Sequence, residues 1–183
     1  VALQSVGLMK KKCRVEVIDS QQATMTEGFI VMKAARAANA GVNFDEVINV
    51  ARKTTPRVEF RAAFDTLEYL HRGGRIGAAQ AFLGSMLRIN PIITLKDGLV
   101  EPAGRTRSRA KAIDYLYNFA TSYSYIEEMA VEDTACPDEA KALVERLGSK
   151  FPKERIYRSK MTPVIGTHTG PGMLLVAILG DRE

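Results

Sequence analysis

The sequence predicts an α/β protein in two parts: the remnant of a parallel-sheet α/β domain over residues 1–62, then an α+β domain with a mixed sheet over residues 63–183. Three observations predict it. Strand and helix patterns alternate through the first third without a hairpin turn, as parallel sheets require. Later, the turn Lys96-Asp97-Gly98 separates two β-rich runs, the strongest short hairpin signal. Near the end, Met173 to Leu179 is apolar at every position, which suits a central strand buried on both faces.

The elements come in this order. Val1 to Met9 has the composition of a helix already under way, and with no initiator Met before it the chain reads as a fragment or a processed product. Cys13 to Asp19 alternates and is β-branched, which predicts a strand ended by Asp19-Ser20. Met25 to Asn39 carries Phe29, Met32, Ala35 and Arg36 at helical spacing, with Gly41 at the C-cap. Asn43, followed by Glu46, caps a helix over Phe44 to Lys53 that Pro56 breaks. Val58 to Phe64 is a second strand, and the boundary between the two parts falls here, near Ala62. Asp65-Thr66 caps a short helix through Leu70. After a glycine interruption, Ala78 to Leu87 reads as an apolar helix stopped by Asn90-Pro91. Pro91 to Leu95 and Leu99 to Gly104 form the hairpin. Ser108 to Thr121 is a helix, Tyr125 to Val131 a strand, Asp138 to Gly148 a helix, and Arg155 to Ser159 a strand.

Composition narrows the function classes. Hydrophobic residues make up 46% and charged residues 26%, enough apolar material for a packed core and too much for a disordered chain. The net charge of +5 invites acidic partners, but the basic residues are dispersed and there is no Trp, so a nucleic-acid face is not predicted. Cys13 and Cys136 lie in no metal-binding spacing and read as idle thiols in a reducing compartment. No apolar run reaches the ~18 residues of a membrane span. The first residues lack the order of a signal peptide, because the lysines come after the apolar residues. A cytoplasmic location is the expectation.

Chemistry concentrates in two glycine-rich segments, which hold both of the chain's histidines. The first is His71-Arg72-Gly73-Gly74-Arg75. Paired glycines let the backbone approach a ligand, and flanking arginines supply forked donors for a carboxylate or phosphate. The same glycines also suit a plain helix C-cap with solvated arginines, and both readings stay open. The second segment is Thr167-His168-Thr169-Gly170-Pro171-Gly172. Here a histidine can donate to an oxyanion while a threonine fixes its other ring nitrogen, and the next strand would present a ligand-facing rim. No phosphate loop, no G-x-G-x-x-G and no G-x-S-x-G is present, nor any His/Asp/Glu cluster at metal-ligand spacing. Binding is therefore expected over catalysis.

The block Asp65-Thr66-Leu67-Glu68-Tyr69-Leu70-His71-Arg72-Gly73-Gly74-Arg75-Ile76, with Leu87-Arg88-Ile89-Asn90-Pro91-Ile92 after it, resembles the DegV family of fatty-acid-binding proteins. Lys96-Asp97-Gly98, then Gly104-Arg105-Thr106-Arg107 and His168-Thr169-Gly170-Pro171-Gly172, fall in the same order, and Val17-Ile18-Asp19-Ser20 and Gly28 fit upstream. The resemblance spans essentially the whole chain.

It implies a two-domain lipid carrier that makes no bond itself. It buries a long-chain fatty acid in an apolar tunnel, holds the carboxylate at the domain interface, and presents it to a fatty acid kinase for phosphorylation. No cofactor or metal is implied beyond the bound fatty acid. Arg72 and His168, with Thr167 and Thr169 beside it, would hold the carboxylate. Arg75 would lie near the transferred phosphate, and Arg105 and Arg107 would face the kinase. Phe29, Met32, Phe82 and Met86 are candidates to line the tunnel, since Met adapts to varied shapes, and they suit plain core equally well. Family members also carry an N-terminal part with a Ser-Gly-Thr-type turn that binds the carboxylate. Gln4-Ser5 resembles the residues just after that turn, so the chain is expected to lack part of the site and to bind palmitate weakly by itself. The alternative reading is a phosphate-ester enzyme using Arg72, Arg75 and His168. A basic RNA-associated module is a third, and it predicts affinity that falls steeply with salt.

Overall fold

The last strand is the axis of the molecule. In the computed structural model, which describes residues 2–10, 13–85 and 89–182, β6 (Met173–Asp181) lies inside a six-stranded sheet of order β3-β2-β1-β6-β4-β5. Its neighbours are β1 (Val58–Ala63) and β4 (Tyr125–Thr134), both antiparallel to it. The hairpin β2 (Asn90–Lys96) and β3 (Leu99–Thr106) extends one edge, turning at Asp97-Gly98 as expected. At the other edge β5 (Ile156–Lys160) runs parallel to β4. The sheet is therefore mixed, and the α/β class holds.

Side-chain alternation along β6 divides the core into two layers. Met173, Leu175, Ala177 and Leu179 face one layer, while Leu174, Val176 and Ile178 face the other. A strand buried on both faces has no polar side to show, which is why this run is uninterrupted. The second layer is covered by α5 (Arg109–Thr121) and α6 (Pro137–Leu147) through Ala112, Leu116, Leu143 and Leu147. The first is partly covered by α2 (Thr24–Asn39), which seats Phe29 and Ile30, and by α3 (Phe44–Thr54) through Ala51. Asn43 caps α3 by accepting the Glu46 N–H at 3.0 Å. A short α1 (Ala2–Val6) buries nothing.

Two local expectations fail. Residues 13–23 form no strand, although Cys13 to Asp19 alternates as a strand should. A strand exists through hydrogen bonds to a neighbour, and among the described residues none pairs with this run. The parallel alternation of the first third is consequently missing, and the one parallel pair among the described residues lies at β4–β5. Ala78 to Leu87 is not an α-helix over its described residues but 3-10 turns over Gly77–Ser85. There Gly77, at φ +53, presses against the Val100 backbone of β3 so closely that a Cβ could not fit, which fixes the segment's start out of helical register.

Candidate functional site

The first-layer face of the sheet has a part that no helix fills, and it opens into a cavity of about 730 Å³, within the range of small-molecule sites. Its floor is set by strand pairing. Ala62 of β1 stands opposite Ile93 of β2 on one side and Leu175 of β6 on the other, so the three form one row across the sheet. Phe60 and Phe64, two positions to either side, point the same way, and Leu95 and Met173 complete the apolar surface. One wall is the irregular segment Asp19, Gln21 to Thr24. Another is Gly74, Arg75 and Gly77, and a third is Met161, Ile165, His168 and Thr169.

The two glycine-rich segments meet at one rim of this cavity. His71 and Arg72 end α4 (Glu68–Arg72), and His168 sits in the last turn of α7 (Pro163–Thr169). Three glycines let the helices interlock. A Cβ on Gly73 would overlap His168 Nδ1, one on Gly170 would overlap the Tyr69 ring, and one on Gly172 would overlap the Asp65 carboxylate. Gly170 also holds φ +69 and ψ 179, a region that only glycine enters freely. The glycines are thus needed for close packing between α4 and α7, and this packing puts the imidazole of His168 against the backbone at Gly73.

His168 Nδ1 is buried and has no hydrogen-bond partner among the described residues. The expected threonine support is not there: the Thr167 hydroxyl donates to the Val164 carbonyl at 2.9 Å, and the Thr169 hydroxyl lies 3.4 Å from that of Thr134. A buried ring nitrogen without a partner is uncommon and calls for a ligand, a water or a moving neighbour.

The sequence-derived residues divide cleanly. His168, Thr169 and Arg75 line the cavity. Arg72 does not; its guanidinium points to solvent and pairs with Glu68 one turn earlier. Thr167 is exposed and outside the lining, and Arg105 and Arg107 are exposed at the end of β3. Phe29, fully buried with its ring 6.1 Å from that of Tyr157, and the half-buried Met32 and Phe82 pack in the apolar layer and do not line the cavity. Met86 lies outside the described residues.

What sequence reasoning missed is the floor. Phe60, Ala62 and Phe64 alternate along a strand that was recognised, but the sheet order that turns their face toward a cavity depends on pairing with residues more than a hundred positions away. A second omission is Glu132, an acidic residue of β4 that is only 3% exposed. Burial pushes its carboxyl group above the usual range, while the Met25 N–H, the Thr24 hydroxyl and the Ser159 hydroxyl act in the opposite direction. Among the described residues no His, Cys, Asp and Glu cluster could hold a metal ion, and no helix is long and apolar enough to cross a membrane.

Fold and cavity together define a class: an α/β protein with an open apolar hollow beside a glycine-built rim. The chain belongs to the DegV family, since the model of that family (described as "Uncharacterised protein, DegV family") matches residues 2–181. A DegV domain-containing protein of Streptomyces coelicolor is 40% identical over 167 residues, covering 90% of this chain and 59% of its own length. The solved structure "Fatty Acid Binding of a DegV family Protein from Thermus thermophilus" superposes with a TM-score of 0.83 at 34% identity, covering 92% of this chain and 61% of that one. The Fatty Acid Kinase (Fak) B3 protein of Streptococcus pneumoniae, loaded with linoleic acid, gives a TM-score of 0.80 with 92% of this chain and 60% of that one covered; at 19% identity the likeness is one of fold alone. The chain spans about three-fifths of the length of these relatives.

Proposed function

We propose that this chain is the larger part of a fatty-acid carrier, and that the cavity over β1, β2 and β6 takes the acyl chain. The observation that carries this reading is the cavity itself: about 730 Å³ above a floor of aromatic and aliphatic side chains, in the part of the sheet face left uncovered by the described helices. The 34% identical Thermus thermophilus relative, whose structure is described by its fatty acid binding, supports it. His168, Thr169 and Arg75, which share the cavity wall, hold the carboxylate. Arg72 joins them by leaving Glu68, and Thr167 supports the turn. The carrier makes no bond itself: it presents the acid to a fatty acid kinase in the cytoplasm, with Arg105 and Arg107 toward that partner. Residues 1–62 close a first domain and residues 63–183 form a second, with β1 crossing that boundary into the second domain's sheet and α2 and α3 packed onto it.

The test is a competition. The chain is titrated with cis-parinaric acid, whose fluorescence rises in apolar surroundings, and then with palmitate. Weak but saturable binding that palmitate displaces and inorganic phosphate does not is the expected result. Absence of displacement, or turnover of a phosphate ester that depends on Arg75 and His168, would sink the carrier reading in favour of a phosphate-ester enzyme.

A further inference from the structure

The wall formed by residues 19–24 is built from unfavourable backbone. Gln21 and Thr24 adopt φ +55 and +60, the left-handed region, and for a β-branched threonine this is an outlier. Such a conformation persists only where its surroundings over-determine it. Part of the support is local. The Gln21 N–H donates to the Asp19 carboxylate at 3.0 Å, the Gln22 N–H to the Ser20 hydroxyl at 3.1 Å, and the Thr26 hydroxyl to the Ala23 carbonyl at 2.6 Å. These bonds shape the turn without attaching it to the sheet.

The attachment comes from β4. Glu132 stands opposite Leu175, one of the cavity-floor residues, so its side chain rises from the same face of the sheet. One carboxylate oxygen accepts the Met25 N–H at 2.9 Å, and the other accepts the Ser159 hydroxyl at 3.2 Å. Met25 is the second residue of α2, immediately after Ala23 and Thr24, which both line the cavity. An N–H in the first turn of a helix has no partner within the helix, so the carboxylate satisfies a donor that is otherwise stranded in the core. No lysine or arginine among the described residues forms an ion pair with Glu132. A carboxyl group buried to this degree is costly, and here it does one thing that an apolar residue could not: it ties a helix start to the sheet.

We propose that Glu132 is a positioning residue of the ligand site: by clamping the start of α2 it holds residues 19–24 in the turn that walls the cavity. The inference rests on the cavity being the acyl site, and its test has an arm that does not. Hydrogen exchange and cis-parinaric acid binding are measured on the whole chain as wild type, Glu132→Ala, Glu132→Gln and Ser159→Ala. In Glu132→Ala, amides over residues 20–28 should exchange at least tenfold faster while those of α6, on the opposite face, are unchanged, and probe affinity should fall by a similar factor. Glu132→Gln keeps an acceptor for the Met25 N–H and should restore both. Unchanged exchange over 20–28 in Glu132→Ala overturns the proposal, as does failure of Gln to rescue. Should Glu132→Ala unfold, Ser159→Ala decides: faster exchange confined to 20–28 supports the clamp, and loss spread through the sheet refutes it. If the wild type binds no probe, the acyl reading fails while the exchange arm still judges the clamp.

Discussion

Replacing Gly73 with alanine tests the site at the point where its two segments touch. Gly73 has φ −78 and ψ −1, ordinary helical values, so alanine incurs no backbone penalty there and would stabilise by about 0.4–1 kcal/mol through the unfolded state. Against this, the new Cβ would overlap His168 Nδ1 and lie 2.9 Å from Cε1 and 3.1 Å from the Tyr69 carbonyl oxygen. Overpacking of this kind costs about 1–3 kcal/mol. The net expectation is a loss of about 1–2 kcal/mol, with the imidazole pushed from its place and probe binding weakened. A double-mutant cycle with His168→Ala, read by urea unfolding, isolates the contact: most of the cost should vanish once the ring is gone, giving a coupling of about 1–2 kcal/mol. Gly74→Ala is the control. Its φ is +65 with open space around the Cβ position, so its cost of about 1–2 kcal/mol is backbone strain that His168→Ala should not relieve. Equal costs for Gly73→Ala in both backgrounds would refute the interlock.

The same geometry sets three further outcomes. Burial raises the Cys136 thiol to about 11, so at pH 8 only about one molecule in a thousand carries the thiolate; Cys13 is exposed. Iodoacetamide should therefore alkylate Cys13 first, as peptide mass mapping would record, and equal rates would contradict the packing around Cys136. Burial also raises the Glu132 carboxyl group in the folded chain. An acid held above its unfolded value binds more protons when folded, so its contribution is most favourable at low pH and is lost as pH rises through the folded value. Relative to wild type, Glu132→Gln should accordingly gain stability in thermal scans as pH rises above the ordinary carboxyl range and then level off, and a difference that shrinks with pH would refute this. Finally, His168→Ala should lower discrimination between palmitate and its methyl ester more than it lowers affinity for the ester, measured by displacement of the same probe. Equal losses for both ligands would remove His168 from the carboxylate.

What was legible in the sequence was whatever depends on near neighbours. Asn43 and Glu46 announced the start of α3, Asp97-Gly98 announced the hairpin, and the unbroken apolar run of β6 announced a strand buried on both faces, because caps, turns and alternation are local physics. Features that need a distant partner were not legible. Cys13 to Asp19 has the alternation of a strand and, among the described residues, no neighbour to bond. Phe29 and Met32 have the size and softness of a tunnel lining, yet α2 turns them into the packed layer, while the floor falls to Phe60, Ala62 and Phe64 through pairing with β6. The glycines were visible as candidates for ligand approach; that they admit His168, Tyr69 and Asp65 instead could be seen only once α4 and α7 were side by side.

Magnitudes divide the labour within the cavity. Burying a methylene contributes ~0.8 kcal/mol, so an acyl chain with about fourteen of them offers on the order of 10 kcal/mol before the cost of association. Association and chain ordering remove several kcal/mol of that, and the remainder already suffices for binding without any polar contact. A single hydrogen bond to a carboxylate adds about 1.5–3 kcal/mol, enough to choose an acid over its ester but not to dominate affinity. If the cavity takes the acyl chain as proposed, affinity belongs to the floor and to whatever keeps the 19–24 wall over it, while selectivity belongs to the rim. This is why the rim can rest on one half-buried imidazole, whereas the wall needs a buried acceptor at Glu132 to hold the Met25 N–H.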